Sequence, residues 1–185
     1  MKLIILDRDG VINQDSDAYI KSADEWQAIP GSIEAIARLC RAGYSVAIAT
    51  NQSGLGRGLF NLDALEAIHA KMCGQVERAG GLIAGIYYCP HLPSAGCNCR
   101  KPAPGLLDAI RQDFATSLTG VIFIGDSLKD LEAGLQRQCQ AVLVRSGKGA
   151  GYEKELANNG NEKIRNTPVY DDLASAVDDL LDNRS

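Results

Sequence analysis

The chain has 185 residues, 45% of them hydrophobic and 23% charged, enough to bury the core of one domain and too apolar for a disordered chain. Nineteen basic against twenty-three acidic residues leave a net charge of −4, which speaks against a nucleic-acid or anionic-membrane binder, whose footprint is basic. No apolar run approaches the roughly 18 residues of a membrane span, and the run between Lys2 and Asp7 is too short for a signal-peptide core, so a cytoplasmic protein is expected.

Short apolar runs alternate with amphipathic stretches along the chain. Residues 3–6, 46–49, 86–88, 121–124 and 141–144 read as strands, and their continuous apolar character suits strands covered on both faces of a parallel sheet. Ser32 is placed to cap a helix carrying Ile33, Ile36, Leu39 and Cys40, which Gly43 ends. Asn61 is placed to cap a second, with Leu62, Leu65, Ile68, Met72 and Val76 at helical spacing. Pro104-Gly105 opens a third, bearing Leu106, Leu107, Ile110 and Phe114, and Asp171 opens the last, with Leu173, Val177 and Leu180 inward. Residues 146–168, rich in Gly, Asn and Lys, read as a surface excursion. Strands alternating with helices imply right-handed crossovers in a single open, doubly wound α/β domain over 1–185.

Ligands of such sheets gather beyond the carboxyl ends of the strands. Asp7-Arg8-Asp9-Gly10 follows the first strand, Thr50-Asn51-Gln52-Ser53-Gly54 the second, Cys89-Pro90-His91 the third and Gly125-Asp126-Ser127 the fourth. Asp7, Asp9 and Asp126 form an oxygen-rich cluster hard enough for Mg²⁺, and such carboxylates repel unless a cation shares their site. Any one of them alone reads better as a turn or cap residue; the set does not. Thr50 and Asn51 add a hydroxyl and an amide, Gly54, Gly56 and Gly58 allow close backbone approach, and Arg100-Lys101 add positive charge. Together these are the needs of a phosphate site. Ser146-Gly147-Lys148-Gly149 superficially suggests a phosphate loop, but it lacks the Walker spacing and reads as an ordinary loop.

The six cysteines divide into two groups. Cys40, Cys73 and Cys139 lie on or beside apolar helix faces and read as small hydrophobes. Cys89, His91, Cys97 and Cys99 fall within residues 89–99 and give the three sulfurs and one nitrogen of a closed structural Zn²⁺ set. That loop ends one residue before Arg100-Lys101, so zinc would stiffen the segment that delivers the lysine. A zinc-finger nucleic-acid module fits poorly, because basic residues do not surround the loop.

Asp7-x-Asp9-Gly10-Val11, Thr50, Lys101 and Gly125-Asp126-(x)3-Asp130 stand in the order of the four motifs of the haloacid dehalogenase-like phosphatases, which the chain resembles over nearly its whole length. The resemblance implies a Rossmann-like three-layer fold and phosphoryl transfer through an aspartyl-phosphate. It makes Asp7 the nucleophile and Asp9 the acid and base, with a pKa that the crowd of carboxylates is expected to raise. Mg²⁺ would be held by Asp7, Asp126 and the backbone carbonyl of Asp9. Thr50 and Lys101 would hold the phosphoryl oxygens, and Asp130 would act from behind. With 42 residues between Asp7 and Thr50, and 50 between Thr50 and Lys101, neither interval can house a large cap domain, so a capless member is expected.

Cys-Pro-His before Cys-x-Cys-Arg-Lys-Pro, together with Thr-Asn-Gln-Ser-Gly, is further similar to the heptose 1,7-bisphosphate 7-phosphatases that serve ADP-heptose and lipopolysaccharide core synthesis. That likeness implies a small phosphorylated sugar as partner, with Asp15, Asn51, Gln52, Ser53, Arg100 and Lys101 as substrate contacts and no nucleic-acid or membrane partner; a monomer is expected. Arg57 reads as a solvated loop residue. Ser127 and Lys129 depart from relatives that carry Lys directly after the motif-four aspartate, which leaves the anomer open. Histidinol-phosphate phosphatases share the motif set and a similar zinc loop, and a zinc-stabilised binding protein without catalysis is the alternative of another class.

Overall fold

The apolar runs form one six-stranded, all-parallel sheet in a computed structural model that describes residues 2–182. The strands are β1 (Lys2–Leu6), β2 (Tyr44–Asn51), β3 (Ile83–Cys89), β4 (Ile122–Gly125), β5 (Gln140–Val144) and β6 (Val169–Tyr170), in the spatial order β3-β2-β1-β4-β5-β6. The helices are α1 (Ser32–Arg41), α2 (Ser53–Gly56), α3 (Leu62–Arg78), α4 (Gly105–Asp113), α5 (Leu128–Gln136), α6 (Gly149–Leu156), α7 (Glu162–Arg165) and α8 (Leu173–Asp182). None is long and apolar enough to cross a membrane among the described residues.

Successive strand residues point to opposite faces, and the sheet uses that alternation to serve two cores. Ile4, Leu6, Val46, Ile48, Ile122 and Ile124 face α1 and α8. Leu3, Ile5, Ala47, Ala49 and Phe123 face α4, which contributes Leu106, Leu107 and Ile110. Burying each large aliphatic side chain stabilises the fold by about 2 kcal/mol, so every strand is pinned on both sides. The register Ile5 opposite Phe123 and Leu6 opposite Ile48 sets β1 centrally, between β2 and β4. Strand order reverses there, at the crevice where open parallel sheets bind ligands. The expected intervals are filled by α1 and its preceding segment and by α2, α3, β3 and the cysteine loop, with no inserted cap among the described residues.

Local differences from the sequence reading have simple causes. Gly31, at φ +82°, is the N-cap of α1, because the Ser32 hydroxyl donates instead to the Ile12 carbonyl at 2.7 Å. Asn61 does cap α3, accepting from the Ala64 N–H at 2.9 Å. Asp172, not Asp171, caps α8 through the Ser175 N–H, while Asp171 pairs with Arg145. The stretch expected to be a surface excursion, 146–168, folds into α6 and α7, since Leu156 and Ile164 reach a small core with Leu131 and Leu143. Cys139 is buried as expected, whereas Cys40 and Cys73 are half-buried.

Candidate active site

Because all strands run parallel, their carboxyl ends share one rim, and the expected residues meet there. Asp7, Asp9, Asp15, Thr50, Asn51, Gln52, Ser53, Arg100, Lys101, Asp126 and Asp130 line one open cavity of about 280 Å³. Asp7 follows β1, while Thr50 is the last residue but one of β2 and Asp126 follows β4, the two strands that flank β1.

Lys101 is the hub of the floor. Its side chain is 2% exposed, and its ammonium lies 2.9 Å from Asp7 Oδ1, 2.6 Å from Asp130 Oδ1 and 2.7 Å from the Ala49 carbonyl. Burial works against that charge, but Asp130 and Asp7 outweigh it and hold the lysine above its usual range. Asn51 fixes the main chain of Lys101: it accepts from the Lys101 N–H at 3.0 Å and donates to the Lys101 carbonyl at 3.1 Å. The Asn51 amide, expected at the substrate, is thereby committed to holding the lysine. Asp130 is oriented from its other oxygen by Ser127, whose hydroxyl and N–H donate to Oδ2 at 2.6 and 3.1 Å in a capping arrangement at the start of α5.

Asp7 Oδ1 also accepts the Arg8 N–H at 2.7 Å, while Oδ2 makes no hydrogen bond among the described residues. Burial, with Asp130 and Asp126 nearby, raises the Asp7 pKa well above the carboxylate range despite Lys101. Asp126 is pushed up to about 7, first by burial and then by Asp130 and Asp15, against the pull of the Lys148 N–H and Lys101. Carboxylate oxygens of Asp7, Asp126 and Asp130 all lie within 4.8 Å of one another. Three negative charges against the single positive charge of Lys101 leave a buried excess that a hard divalent cation would neutralise, so the donor set fits Mg²⁺. The space beside Asp126 fits as well. A Cβ on Gly10 or on Gly147 would come within 2.2 Å of Asp126 Oδ2, and both residues have positive φ, so glycine is required on both sides.

Asp9 departs from expectation. Its carboxylate is not in the acidic cluster but turned toward Arg8, which donates from Nε at 3.1 Å to Oδ1 and from Nη2 at 2.9 and 3.0 Å to the two oxygens. Asn13 donates to Oδ1 and Gln52 to Oδ2, each at 2.8 Å. Burial alone would raise Asp9, but Arg8 and these amides hold it below its usual range; the expected rise falls on Asp7 and Asp126 instead. Gln52 also donates to the Thr50 hydroxyl at 2.9 Å, so it ties two site residues together.

The cysteine loop stands behind Arg100. Cys89, His91, Cys97 and Cys99 offer ligand atoms within 4.8 Å of one another, with sulfurs 3.0–3.6 Å apart and His91 Nδ1 3.2 Å from Cys99. A tetrahedral Zn²⁺ with Zn–S bonds near 2.3 Å spaces its sulfurs about 3.8 Å apart, so the quartet has the shape of a zinc site and not of a disulfide. Cys97 is drawn down to about 6, because the Arg100 N–H and neighbouring thiols that donate to it outweigh its burial, while burial and crowding by Cys89 and Cys97 push Cys99 up to about 12. Such a set readily yields a thiolate for metal.

Some site residues were not legible in the sequence. The loop set aside as ordinary, 146–149, closes the rim: Ser146 donates to the Gly10 carbonyl at 2.7 Å, the Lys148 N–H donates to Asp126 at 2.9 Å, and the Lys148 ammonium reaches Asp15 and Asp17 across the cavity mouth. Nothing in the sequence pattern marks Arg8 or its partner His69. Arg57 lies against the Tyr19 ring, 6.0 Å from its centre.

The chain belongs to the haloacid dehalogenase-like hydrolase family, whose model matches residues 4–136, with a second model of HAD-hydrolase-like proteins matching 98–176. Among its relatives is the D-glycero-beta-D-manno-heptose-1,7-bisphosphate 7-phosphatase of Pseudomonas putida, 52% identical over 98% of this chain and 100% of the relative. The crystal structure of D,D-heptose 1,7-bisphosphate phosphatase from B. bronchiseptica, complexed with magnesium and phosphate, is 51% identical with a TM-score of 0.92 and 99% of both chains covered. The D,D-heptose 1,7-bisphosphate phosphatase from Burkholderia thailandensis is 41% identical, with a TM-score of 0.74 and coverage of 98% and 99%.

Proposed function

We propose that this chain is a Mg²⁺-dependent phosphatase that removes the C7 phosphate of D-glycero-β-D-manno-heptose 1,7-bisphosphate and retains the C1 phosphate. The observation that carries the reading is the buried ring of Asp7, Asp126 and Asp130 closed by Lys101, in a chain half identical to enzymes of that name. It acts as one domain over 1–185, a cytoplasmic monomer with a structural Zn²⁺ in the 89–99 loop.

The carboxylates of Asp7 and Asp126 and the Asp9 backbone carbonyl would hold Mg²⁺, which when bound supplies positive charge to offset the repulsion between Asp7 and a phosphate dianion. An Asp7 oxygen attacks phosphorus, and the bond from phosphorus to the C7 oxygen breaks. Asp9 gives its proton to that departing oxygen. Water then attacks the aspartyl-phosphate, its proton returns to Asp9, and the bond between Asp7 and phosphorus breaks to release inorganic phosphate. Asp9 rests as a carboxylate in the free enzyme; the negative charge of the bound phosphate strengthens its hold on a proton taken from solvent, which it gives to the departing oxygen, and the water proton it then accepts returns to solvent when phosphate leaves. Lys101 and the Thr50 hydroxyl hold the transferring oxygens. Asp15, Ser53 and Arg100 face the sugar and its second phosphate, with Asn51 and Gln52 at the same wall of the cavity.

The test is Mg²⁺-dependent phosphate release from both anomers of heptose 1,7-bisphosphate and from histidinol phosphate, with Asp7→Asn as the blank. We expect strong preference for the β anomer, and an Arg100→Ala loss of kcat/KM about ten times larger on the bisphosphate than on a monophosphate. Preference for histidinol phosphate would overturn the substrate, and turnover surviving in Asp7→Asn would overturn the covalent mechanism.

A further inference from the structure

Beneath the site a buried relay leads away from Asp9. Arg8 is fully buried, and its guanidinium has two sides. One side grips both Asp9 oxygens; the other places Nη1 3.2 Å from Nε2 of His69, on α3. A guanidinium is always charged and only donates, so His69 must accept through an unprotonated Nε2 and carry any proton on Nδ1. The half-buried imidazole, its ring centre 6.1 Å from that of Tyr88, is drawn down to about 4 by burial and by the Arg8 charge, so the neutral ring persists through the physiological range.

We infer that His69 is a positioning residue for Asp9, acting through Arg8: the helix-borne imidazole fixes the guanidinium, and the guanidinium fixes the carboxylate that handles the proton of the leaving group. The inference rests on the reading of Asp9 as acid and base given above. Its physical basis is orientation. An arginine side chain has many rotamers, and one anchored only by a carboxylate can pivot with it; a second anchor at Nη1 removes that freedom. Asn13 and Gln52 donate to the same carboxylate, so what His69 controls is its angle and not its retention.

Removing Arg8 would leave a partly buried carboxylate without its cation and empty the fully buried Arg8 site, endangering the fold, so the test is made at His69. Losing Asp9 alignment should slow substrates whose leaving oxygen needs a proton and spare those whose leaving group departs as an anion. We expect His69→Ala to lower the first-turnover burst rate on the alkyl phosphate about 10-fold with KM within about 2-fold. The first-turnover burst with p-nitrophenyl phosphate should fall by no more than about 2-fold, since an aryl oxide departs unprotonated. His69→Gln, whose amide oxygen can accept from Arg8, should recover most of the alkyl rate. Ring ¹⁵N shifts of the unaltered protein, which has only two histidines, should show Nε2 of His69 unprotonated at pH 7. Equal first-turnover losses on alkyl and aryl phosphates, no rescue by Gln, a protonated Nε2, or full activity in His69→Ala would each overturn the inference. Asp9→Asn separates the two levels: if it slows the alkyl burst selectively and His69→Ala does not, only the role of His69 fails, whereas if Asp9→Asn shows no such selectivity the assignment of Asp9 fails as well.

Discussion

Asp126→Asn should make the Mg²⁺-free protein more stable, and increasingly so as pH rises. The Asp126 carboxyl goes from an ordinary value of 3.8 in the unfolded chain to about 7 in the folded one, through burial and the charges of Asp130 and Asp15. A raised pKa means that the folded state binds a proton the unfolded state has released, so the folded state loses stability as pH climbs through that interval. Each pH unit between the two values costs about 1.4 kcal/mol, so the full penalty above pH 7 is up to about 4 kcal/mol. Asparagine carries no charge and still offers an oxygen to the Lys148 N–H. The comparison that isolates the charge is the stability gap between variant and parent at two pH values, because packing effects of the substitution cancel. Between pH 5 and pH 8 the gap should widen by about 2–3 kcal/mol, or very roughly 5–10 °C in Tm for a chain of this size. Thermal melts in EDTA at the two pH values measure it directly. Saturating Mg²⁺ should reverse the order, since an ion bound by the folded parent stabilises it in proportion to the logarithm of its concentration over Kd, and the variant lacks a ligand. A gap that is the same at pH 5 and pH 8, or Mg²⁺ raising both melts equally, would refute the account of Asp126 as a charge held out of balance until a cation arrives.

Cys97→Ser should reduce bound zinc well below one equivalent per chain by metal analysis and lower the melting temperature; unchanged zinc and Tm would show that the quartet is not a metal site. Gly147→Ala forces a Cβ to within 2.2 Å of Asp126 Oδ2 from a left-handed backbone at φ +63°, and should weaken Mg²⁺ binding by about 10-fold or more, measured by calorimetric titration. A Mg²⁺ affinity equal to that of the parent protein would show that loop 146–149 does not shape the Asp126 side of the site.

Much of this was legible because the strands are buried on both faces. Continuous runs such as 3–6 and 121–124 have few other readings, and once the strands are parallel their trailing residues must share a rim, which brings Asp7, Thr50 and Asp126 together without any knowledge of side-chain contacts. What escaped was set by tertiary packing. β6 is two residues long, too short for a periodic signal. α6 carries Gly149 and Gly151 and looks like a loop by composition, yet Leu156 finds a core. Proximity in sequence suggests that Asp9 crowds Asp7, but the chain turns directly after β1, with the Ile12 N–H donating to the Arg8 carbonyl at 2.8 Å, and Arg8 between the two turns its guanidinium to the Asp9 side.

That division of the two aspartates has a chemical consequence. In the proposed mechanism one fold must keep Asp7 able to receive a phosphoryl group and Asp9 able to exchange a proton, and two carboxylates two residues apart would titrate alike in a uniform setting. The site gives each its own countercharge: Lys101, two residues beyond Cys99 and shared with Asp130, stands against Asp7, while Arg8, in contact with His69 of α3, stands against Asp9. Lysine is a point charge that can face both Asp7 and an incoming phosphate, while arginine is a fork that fixes a carboxylate's plane. The first suits electrostatic stabilisation of a transferring group and the second suits alignment of a proton donor. Exchanging the two cations would keep the net charge and lose both functions, so what the site encodes is the geometry of its charges as much as their number.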